Sequence, residues 1–301
     1  MFALKFLVKM RSYNLELSLW PSFVYALFER RNGVFEKVIG YRKGCRIWID
    51  GGRVVGTCDH EVISLWSGAW FNPSNRVTVV SQEYRELAEG FVKIYENVGL
   101  SISPYDKDFL FIPIFLSRST DWNRNVLRWC RALWREIEEF DDLLGFDFSS
   151  MGRSFQLRQL PEALKHFTKV SLTEKDPYEI RKQLLSCKWV GPKVADAYLL
   201  FTGIDISASP VDIHMINMAR RFRIPFSKIP SKGVCAKYTC EDCSWNSECL
   251  RNIFTSNFKE LSGWLQTMFY VHDKLYCSRE RCRECILNTL CRRIPSRRRK
   301  I

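Results

Sequence analysis

The chain lacks an apolar run that is long enough to cross a membrane. The run Phe109–Leu116 is far shorter than the roughly 20 apolar residues that a membrane-spanning helix needs. The first residues interrupt their apolar positions with Lys5 and Lys9 and offer no small-residue cleavage site, so they do not resemble a secretory signal peptide. We therefore expect an intracellular protein that has no membrane partner.

Acidic residues are scarce relative to basic ones, and low-complexity linkers are missing. The 301 residues include 46 Lys and Arg but 33 Asp and Glu, which gives a net charge of +13. This excess favours a polyanionic partner, nucleic acid or an anionic membrane, although a generally basic protein would also show it. With 46% hydrophobic and 14% aromatic residues, the chain can form two packed domains or one large one.

The N-terminal part alternates between apolar and polar residues over positions 15–58, as half-buried strands do. Turn residues break this pattern at Arg31-Asn32-Gly33 and again at Asp50-Gly51-Gly52, and each break is typical of a hairpin. We therefore predict a small antiparallel sheet within an N-terminal β-rich domain, residues 1–83.

From Tyr84 onward the apolar spacing becomes helical. Pro113 would interrupt or kink a helix over the run 109–116. The predicted helices are Tyr84–Val98, Trp122–Phe140, Pro161–Phe167, Pro177–Leu185, Lys193–Thr202, Asp212–Phe222 and Phe258–Leu275. The fold class is therefore mainly α with a small β domain (α+β). A helical core would span 84–225, and 226–301 would hold C-terminal helices, two cysteine loops and a basic tail.

Two charged residues at predicted helix starts are the candidate catalytic pair. Lys193 follows Gly191-Pro192 in the first turn of one helix, and Asp212 opens the next, so both can face one cleft. The helix dipole and apolar neighbours such as Trp189 would lower the pKa of the amine below its ordinary value of about 10.4. Amides in the turn before a helix can bind phosphate. Taken singly, Lys193 could instead be a solvated lysine and Asp212 an ordinary N-cap.

The whole segment resembles the helix-hairpin-helix DNA glycosylases, the base-excision repair family of endonuclease III and 8-oxoguanine DNA glycosylase. The residues that match its V-G-x-K and P-V-D-x-H motifs are Val190, Gly191, Lys193, Pro210, Val211, Asp212 and His214. The resemblance implies that Lys193 is a nucleophile and that Asp212 stabilises the oxocarbenium-like transition state. It also implies DNA-backbone contacts for Trp189, Gly191 and His214. The chain departs from the family at Trp189, where the hairpin usually has glycine.

Further short segments resemble the family's base-flipping apparatus, in which side chains fill the gap left by an extruded base. The segments FLSRSTDW and SSMGRSFQLRQL nominate Arg118, Ser119, Gly152, Arg153 and Phe155 as residues that contact DNA. Polar residues at helix ends would give the same short patterns. Ala197, one turn after Lys193, is the candidate for the wall of the base pocket.

Eight of the 12 cysteines form two quartets with the same spacing, C-x4-C-x2-C-x5-C. The first quartet is Cys235, Cys240, Cys243 and Cys249, and the second is Cys277, Cys282, Cys285 and Cys291. Four thiolates suit a 4Fe–4S cluster or a structural zinc. The second quartet resembles the cluster loop of endonuclease III, apart from a shorter first gap, which implies 4Fe–4S. The first has no counterpart in the family, and its spacing suggests a second 4Fe–4S cluster, with zinc as the alternative.

The other cysteines, Cys45, Cys58, Cys130 and Cys187, are predicted to be buried small hydrophobic residues. Basic residues interleave both cysteine loops and could rest on DNA phosphates, although each could equally be solvated. They are Lys237, Arg279, Arg281, Arg283 and Arg292.

Together, these patterns predict a monomeric DNA glycosylase with β-lyase activity that acts on double-stranded DNA containing a damaged base. The lysine, the PVDIHM run and the β-rich N-terminus favour an oxidised purine, 8-oxoguanine in particular. The cluster loop favours the oxidised pyrimidines of endonuclease III. A non-catalytic iron–sulfur DNA-binding protein and an iron–sulfur electron-transfer protein are the alternatives from other functional classes.

Overall fold

The computed structural model describes residues 12–173 and 176–291 and is mainly helical. Its helices are α1 (Leu15–Leu19), α2 (His60–Ser67), α3 (Gln82–Tyr95), α4 (Lys107–Leu116), α5 (Leu127–Glu136), α6 (Phe155–Phe167), α7 (Pro177–Ser186), α8 (Pro192–Phe201), α9 (Ile213–Arg221), α10 (Lys232–Cys235), α11 (Leu250–Phe258) and α12 (Ser262–Leu275). None of the described helices is long and apolar enough to span a bilayer. Arg292 and the basic tail lie outside the described residues.

The predicted hairpins are confirmed as one antiparallel sheet with strand order β1-β2-β3-β4. The strands are β1 (Phe28–Arg31), β2 (Val34–Lys37), β3 (Arg46–Asp50) and β4 (Arg53–Gly56). Both tight turns, Asn32-Gly33 and Gly51-Gly52, have positive φ at their two central residues, as two-residue hairpin turns require. The start of the alternating pattern is helix α1 rather than strand, so the α+β class is confirmed with a shorter β region.

Cys45 and Cys58 were predicted to be buried small hydrophobic residues. Cys45 is buried, but Cys58 is half-buried, and the two form a disulfide. The β3–β4 register pairs Ile47 with Gly56 and so brings the residues just outside the hairpin opposite one another, with a Cα–Cα distance of 5.9 Å. The pattern of single apolar residues could not show this cross-strand pairing. The prediction for Cys130 and Cys187 is confirmed, because both are buried.

A buried ion pair attaches the sheet to the helical core. Lys37, the last residue of β2, donates from Nζ to both carboxylate oxygens of Asp106, at 2.9 and 2.8 Å. The backbone N–H of Tyr41 donates to the same carboxylate at 2.7 Å. Asp106 directly precedes α4, and α4 ends beside Ser117, so this contact fixes the β region relative to the helix that leads to the candidate site.

Two prolines that were expected to limit helices lie inside them. α4 continues through Pro113, and all residues from 109 to 116 are buried, so packing on every side offsets the hydrogen bond that proline cannot donate. α6 passes through Pro161 and begins at Phe155, because Ser154 caps its first turn by accepting from the N–H of Leu157. The predicted start at Pro161 is therefore wrong.

Two predicted helices are broken into shorter pieces. The prediction over 122–140 becomes a π-helical turn, Trp122–Val126, followed by α5, which ends at Glu136. The prediction over 258–275 is divided by a 3₁₀ turn, Lys259–Leu261, that separates α11 from α12. One cluster of buried apolar residues extends through all three predicted domains. The domain boundaries themselves stay a prediction.

Candidate active site

Helices α7 and α8 form the predicted hairpin, joined by a turn over residues 187–191. Pro192 is the first residue of α8, where its fixed φ favours the helix and its missing N–H costs nothing. Val190 is completely buried and anchors the turn in the core. Gly203, with φ of +72°, follows the end of α8 as predicted.

Trp189 takes the left-handed conformation for which the family's glycine is suited. Its φ is +66°, a conformation that costs a non-glycine residue about 1–2 kcal/mol. The indole is 43% exposed and donates to Glu162 at 3.4 Å. The same carboxylate accepts from Lys188 at 2.6 Å. The hairpin therefore keeps a glycine-like turn although its sequence departs from the motif, and it presents a large aromatic ring at its tip.

Gly191 leaves open space in front of the α8 N-terminus. Its φ of −110° suits any residue, and a Cβ added there would meet no atom within 4 Å. The protein's own backbone and packing therefore do not require glycine at this position. A close approach from outside, such as that of a phosphate to first-turn amides, does favour the absence of a side chain.

Lys193 lies in the first turn of α8 and is a half-buried residue. Its Nζ donates to Ser117 Oγ at 2.5 Å and lies 5.2 Å from the centre of the Phe23 ring. Burial lowers the pKa of Lys193 to about 8; Asp212 opposes this shift and Arg118 adds to it. The residue as a whole is half-buried rather than inaccessible. A desolvated amine with a lowered pKa at a helix start is a candidate nucleophile.

Asp212 is both the N-cap of α9 and a charge that acts on the pocket. Its Oδ1 accepts from the backbone N–H of Met215 at 2.8 Å, which fixes the carboxylate at the helix start. The same carboxylate raises the pKa of Lys193 and of the Tyr270 hydroxyl, the latter being raised mainly by burial. The structure thus brings the predicted pair together, and the capping role does not exclude the electrostatic one.

An aromatic wall surrounds the pair, and sequence reasoning did not identify it. It comprises Trp20, Phe23, Trp122 and Tyr270, all partly exposed. Phe23 packs edge-on against Trp122, with ring centres 5.1 Å apart, and Trp20 lies 5.6 Å from Tyr270. The Trp122 indole also donates to the carbonyl of Trp20 at 3.2 Å. Trp122 and Ser117 were within reach of prediction because they belong to the FLSRSTDW segment, whereas no local pattern singles out Trp20 and Phe23.

Arg118 is held by the hairpin rather than left free. Its guanidinium donates to the carbonyl of Trp189 at 3.0 Å and to Gln159 at 2.9 Å. It also lies over the Phe115 ring, 3.8 Å from its centre, and desolvation lowers its pKa to about 10. In this structure Arg118 therefore positions the hairpin turn, and its insertion into DNA stays a prediction.

The other candidate insertion residues lie at the surface near Arg118. Ser119 is exposed and has φ of +49°. Arg153 and Phe155 are exposed beside Gly152, which has φ of +139°. Phe155 is the first residue of α6 rather than part of a loop. Its ring lies 5.7 Å from the Arg118 guanidinium carbon, so both predicted segments converge here.

His214 and Ala197 are more enclosed than the sequence suggested. His214 Nδ1 lies 2.6 Å from Asp273 Oδ2, and its ring packs edge-on against Tyr270. Ser278, next to the second cysteine quartet, donates to the same carboxylate at 3.1 Å. Ala197 is completely buried and so lines no open pocket here. The DNA contact of His214 and the base contact of Ala197 stay predictions.

Each cysteine quartet surrounds one cavity. All four cysteines of the first quartet line one cavity, and all four of the second line another. Across residues 12–173 and 176–291, no three His, Cys, Asp or Glu side chains are arranged as around a single metal ion. A nitrogen lies within hydrogen-bond distance of a sulfur atom at each quartet: Arg251 donates to Cys240 at 2.9 Å, and His272 Nε2 lies 3.2 Å from Cys285. The described basic residues of these loops are exposed: Lys237, Arg279, Arg281 and Arg283.

No protein-family profile and no curated protein sequence matches the chain, but solved structures do. The 8-oxoguanine glycosylase/lyase of Clostridium acetobutylicum, in complex with double-stranded DNA, superposes with a TM-score of 0.65 at 16% identity, covering 88% of this chain and 92% of that one. The 3-methyladenine DNA glycosylase of Archaeoglobus fulgidus gives a TM-score of 0.61 at 12% identity, covering 88% and 97%. The chain has the fold of the helix-hairpin-helix DNA glycosylases. The resemblance seen in the sequence is thus confirmed for the fold, and at these identities the comparison supports the fold alone.

Proposed function

We propose that this protein is a DNA glycosylase of base-excision repair that also has β-lyase activity. The observation that carries the proposal is the Lys193 amine: it donates to the Ser117 hydroxyl, burial lowers its pKa to about 8, and the Asp212 carboxylate acts on it electrostatically. The motif residues around this pair and the helix-hairpin-helix glycosylase fold give the same assignment. A module that only holds the DNA backbone would not need a desolvated amine at this position.

The proposed reaction uses Lys193 as the attacking group. Its unprotonated amine attacks C1′ of the damaged nucleotide, and the bond from C1′ to the base breaks with the electron pair leaving on the base. Asp212 stabilises the positive charge that develops on the sugar. The adduct then opens the sugar ring and loses a proton from nitrogen to give a Schiff base. Loss of a C2′ proton expels the 3′ phosphate and nicks the strand.

The substrate we favour is double-stranded DNA that contains 8-oxoguanine. The lysine and the PVDIHM run support it, and the solved glycosylase/lyase that this chain resembles was crystallised with cytosine opposite 8-oxoguanine. The aromatic wall around Lys193 offers rings on which an extruded base can stack. The open amides at Gly191 would bind the phosphate backbone, so affinity should fall steeply with salt. Oxidised pyrimidines are the second candidate, favoured by the endonuclease III-like spacing of the second quartet.

Borohydride trapping tests the proposal. Duplexes carrying 8-oxoguanine opposite cytosine, thymine glycol or no lesion would be incubated with the protein and reduced, so that a Schiff base becomes a permanent cross-link. We expect a cross-link and base release with the 8-oxoguanine duplex and no cross-link with undamaged DNA. A stronger cross-link with thymine glycol would reverse the preference while keeping the reaction.

Two variants identify the nucleophile in the same assay. Lys193→Gln should abolish the cross-link, because an amide cannot form a Schiff base. Lys182→Gln is the matched control: this lysine lies on α7, and its side chain is 53% exposed. Its cross-link should match that of the wild type. Absence of both cross-link and base release on every lesion would overturn the proposal and favour a non-catalytic DNA-binding protein.

We further propose that both quartets hold metal centres, a 4Fe–4S cluster in the second and another in the first. The residues fit such a group, because four cysteines line each cavity and a side-chain nitrogen lies within hydrogen-bond distance of a sulfur atom at each. Hydrogen bonds of this kind are typical around ligating sulfur atoms. Zinc in the first quartet is the alternative.

Metal analysis with visible absorption distinguishes these assignments. About eight iron atoms per chain would support two clusters, since each holds four. About four iron atoms with one zinc would assign zinc to the first quartet. Protein purified without air and reconstituted with iron and sulfide, yet containing neither metal, would refute both centres without affecting the test of Lys193.

A further inference from the structure

A buried network of charged residues is centred on α8, about one helical turn after the candidate nucleophile. Asp196 is on α8, three residues after Lys193, and is completely inaccessible to solvent. Arg181 of α7 donates to its two carboxylate oxygens, at 2.7 and 3.2 Å. Arg251 of α11 donates to Oδ1 of the same carboxylate at 2.9 Å. The network therefore joins three helices at one carboxylate.

The network contains more positive than negative charge. Two buried guanidinium groups face one carboxylate, and an uncompensated charge inside a protein is strongly destabilising. Both arginines also line the cavity of the first cysteine quartet, and Arg251 donates to Cys240 Sγ. The counter-charge that the network lacks can thus come from the first cysteine quartet.

Arg251 makes the direct connection. While its Nε donates to Asp196, its Nη1 donates to Cys240 Sγ at 2.9 Å. Arg181 and Arg251 both line the cavity that the first quartet surrounds. Cysteines that bind a metal do so as thiolates. A loaded quartet would therefore place negative charge against both arginines.

We propose that Arg251 couples the metal centre of the first quartet to Asp196, so that loading this centre fixes α8 and thereby positions Lys193. The inference rests on the metal centre proposed above for that quartet. Arg251 and Asp196 act as positioning residues, since neither touches the reacting atoms. The first quartet, which has no counterpart in the helix-hairpin-helix glycosylase motif pattern, then holds in place the helix that carries the candidate nucleophile.

The second quartet provides an internal comparison. It is linked to the fold through His272, whose Nε2 lies 3.2 Å from Cys285 and whose Nδ1 lies 2.9 Å from the Tyr95 hydroxyl. Tyr95 belongs to α3, so this contact leads away from α8. Loss of the second centre should therefore leave the backbone of α8 unaffected.

Hydrogen exchange followed by mass spectrometry tests the coupling. The metal-loaded full-length protein would be compared with Cys243→Ser/Cys249→Ser, which disables the first quartet, and with Cys285→Ser/Cys291→Ser, the matched pair in the second. We expect α8 amides to exchange at least about tenfold faster when the first quartet is disabled, and unchanged α8 exchange when the second is. If the first-quartet variant fails to fold, the Cys285→Ser/Cys291→Ser variant before and after reconstitution with iron and sulfide changes the first centre alone, and its α8 exchange should slow on reconstitution.

Arg251→Gln tests the charge balance independently. In the loaded protein it should lower the melting temperature by several degrees. In the Cys243→Ser/Cys249→Ser background it removes the excess positive charge, so its effect should shrink or change sign. Arg251→Lys, which keeps the charge, should restore part of the loss in the loaded protein. An effect of Arg251→Gln that is equal in both backgrounds would indicate packing alone and overturn the coupling.

The outcomes separate this inference from the proposed function. If the first quartet holds metal but disabling it leaves the hydrogen exchange of α8 unchanged, the coupling is overturned and the metal centre remains supported. Absence of metal from that quartet after reconstitution overturns both. Metal-dependent α8 exchange in a protein that gives neither a borohydride cross-link nor base release supports the coupling and refutes the glycosylase.

Discussion

Two lysines are withdrawn from water in this protein, and their surroundings differ in one decisive respect. Lys37 is completely buried, and its Nζ donates to Asp106 at 2.8 Å and to the carbonyl of Tyr41 at 3.0 Å. Lys193 is partly exposed, and its hydrogen bond goes to the Ser117 hydroxyl. Burial lowers the pKa of both amines.

The difference lies in which groups oppose the effect of burial on the pKa of each amine. At Lys37 the touching carboxylate stabilises the ammonium, so the group serves as a fixed cation that joins sheet and core. At Lys193 the hydroxyl is uncharged and Asp212 acts through space, so an unprotonated amine is accessible near neutral pH. Desolvation alone therefore does not distinguish a candidate nucleophile from a structural lysine; the absence of a contacting carboxylate does.

The largest expected effect is on the rate of strand cleavage, and substitution of only one of the two lysines should produce it. Lys193→Gln should reduce single-turnover strand cleavage by more than about 1,000-fold, as loss of a nucleophile does in other enzymes. Lys37→Gln, assayed at low temperature where it is folded, should retain the wild-type rate per folded molecule. Equal losses in the two variants would remove the distinction between the lysines.

The second effect is on stability. Lys37→Met leaves Asp106 buried without its cation, which should cost about 3–5 kcal/mol of unfolding free energy. Urea denaturation followed by circular dichroism measures this. The double variant Lys37→Met/Asp106→Asn should lose less than the single one, since it does not strand a charge. A larger loss in the double variant would contradict the ion-pair explanation.

The third effect is also on stability, but here the substitution should increase the unfolding free energy. The pKa of Lys193 is about 8 in the folded protein and near 10.4 when unfolded. Between these values the unfolded chain holds a proton that the folded chain does not, so stability rises with pH across that window. Lys193→Met removes the penalty and should stabilise the protein at pH 7 by roughly 1–3 kcal/mol.

Urea denaturation at several pH values checks this prediction. The advantage of Lys193→Met over the wild type should shrink as pH rises from about 8 and vanish near 10.4. An advantage that stays constant with pH would come from packing instead.

The smallest effect is a pair of shifts in pH dependence. Cross-linking to a duplex with a preformed abasic site should increase as pH rises through about 8, because the free amine is the reactive form. Asp212 raises the pKa of Lys193 and Arg118 lowers it. Asp212→Asn should therefore move the profile to lower pH, and Arg118→Met should move it to higher pH. Shifts in the same direction would contradict the assigned electrostatics.

The sequence was sufficient for the features that local chemistry encodes. The glycine-containing turns of the sheet, Pro192 at the start of α8 and Asp212 at the start of α9 each depend on near neighbours, and all were predicted. The Lys193–Asp212 pair followed from a motif about twenty residues long. By contrast, the start of α6 was missed because Ser154 supplies a cap and the helix tolerates Pro161.

Features that depend on distant contacts could not be predicted. Phe23 and Trp20 reach the pocket from the N-terminal region, and Arg251 meets Asp196 from 55 residues away. Trp189 departs from the motif, and the sequence left open whether the usual turn forms. The structure gives this residue the positive φ that glycine favours. The motif specifies a backbone conformation, and here the surrounding contacts hold a bulky residue in it.

Peptide mapping of the borohydride-trapped complex tests the central claim most directly. The cross-linked protein, formed with an 8-oxoguanine duplex, would be digested with nuclease and protease and sequenced by mass spectrometry. We predict that the reduced sugar remnant is attached to Lys193 and that Lys37 is unmodified. Attachment to any other lysine, with Lys193 unmodified, would contradict the assignment of the nucleophile.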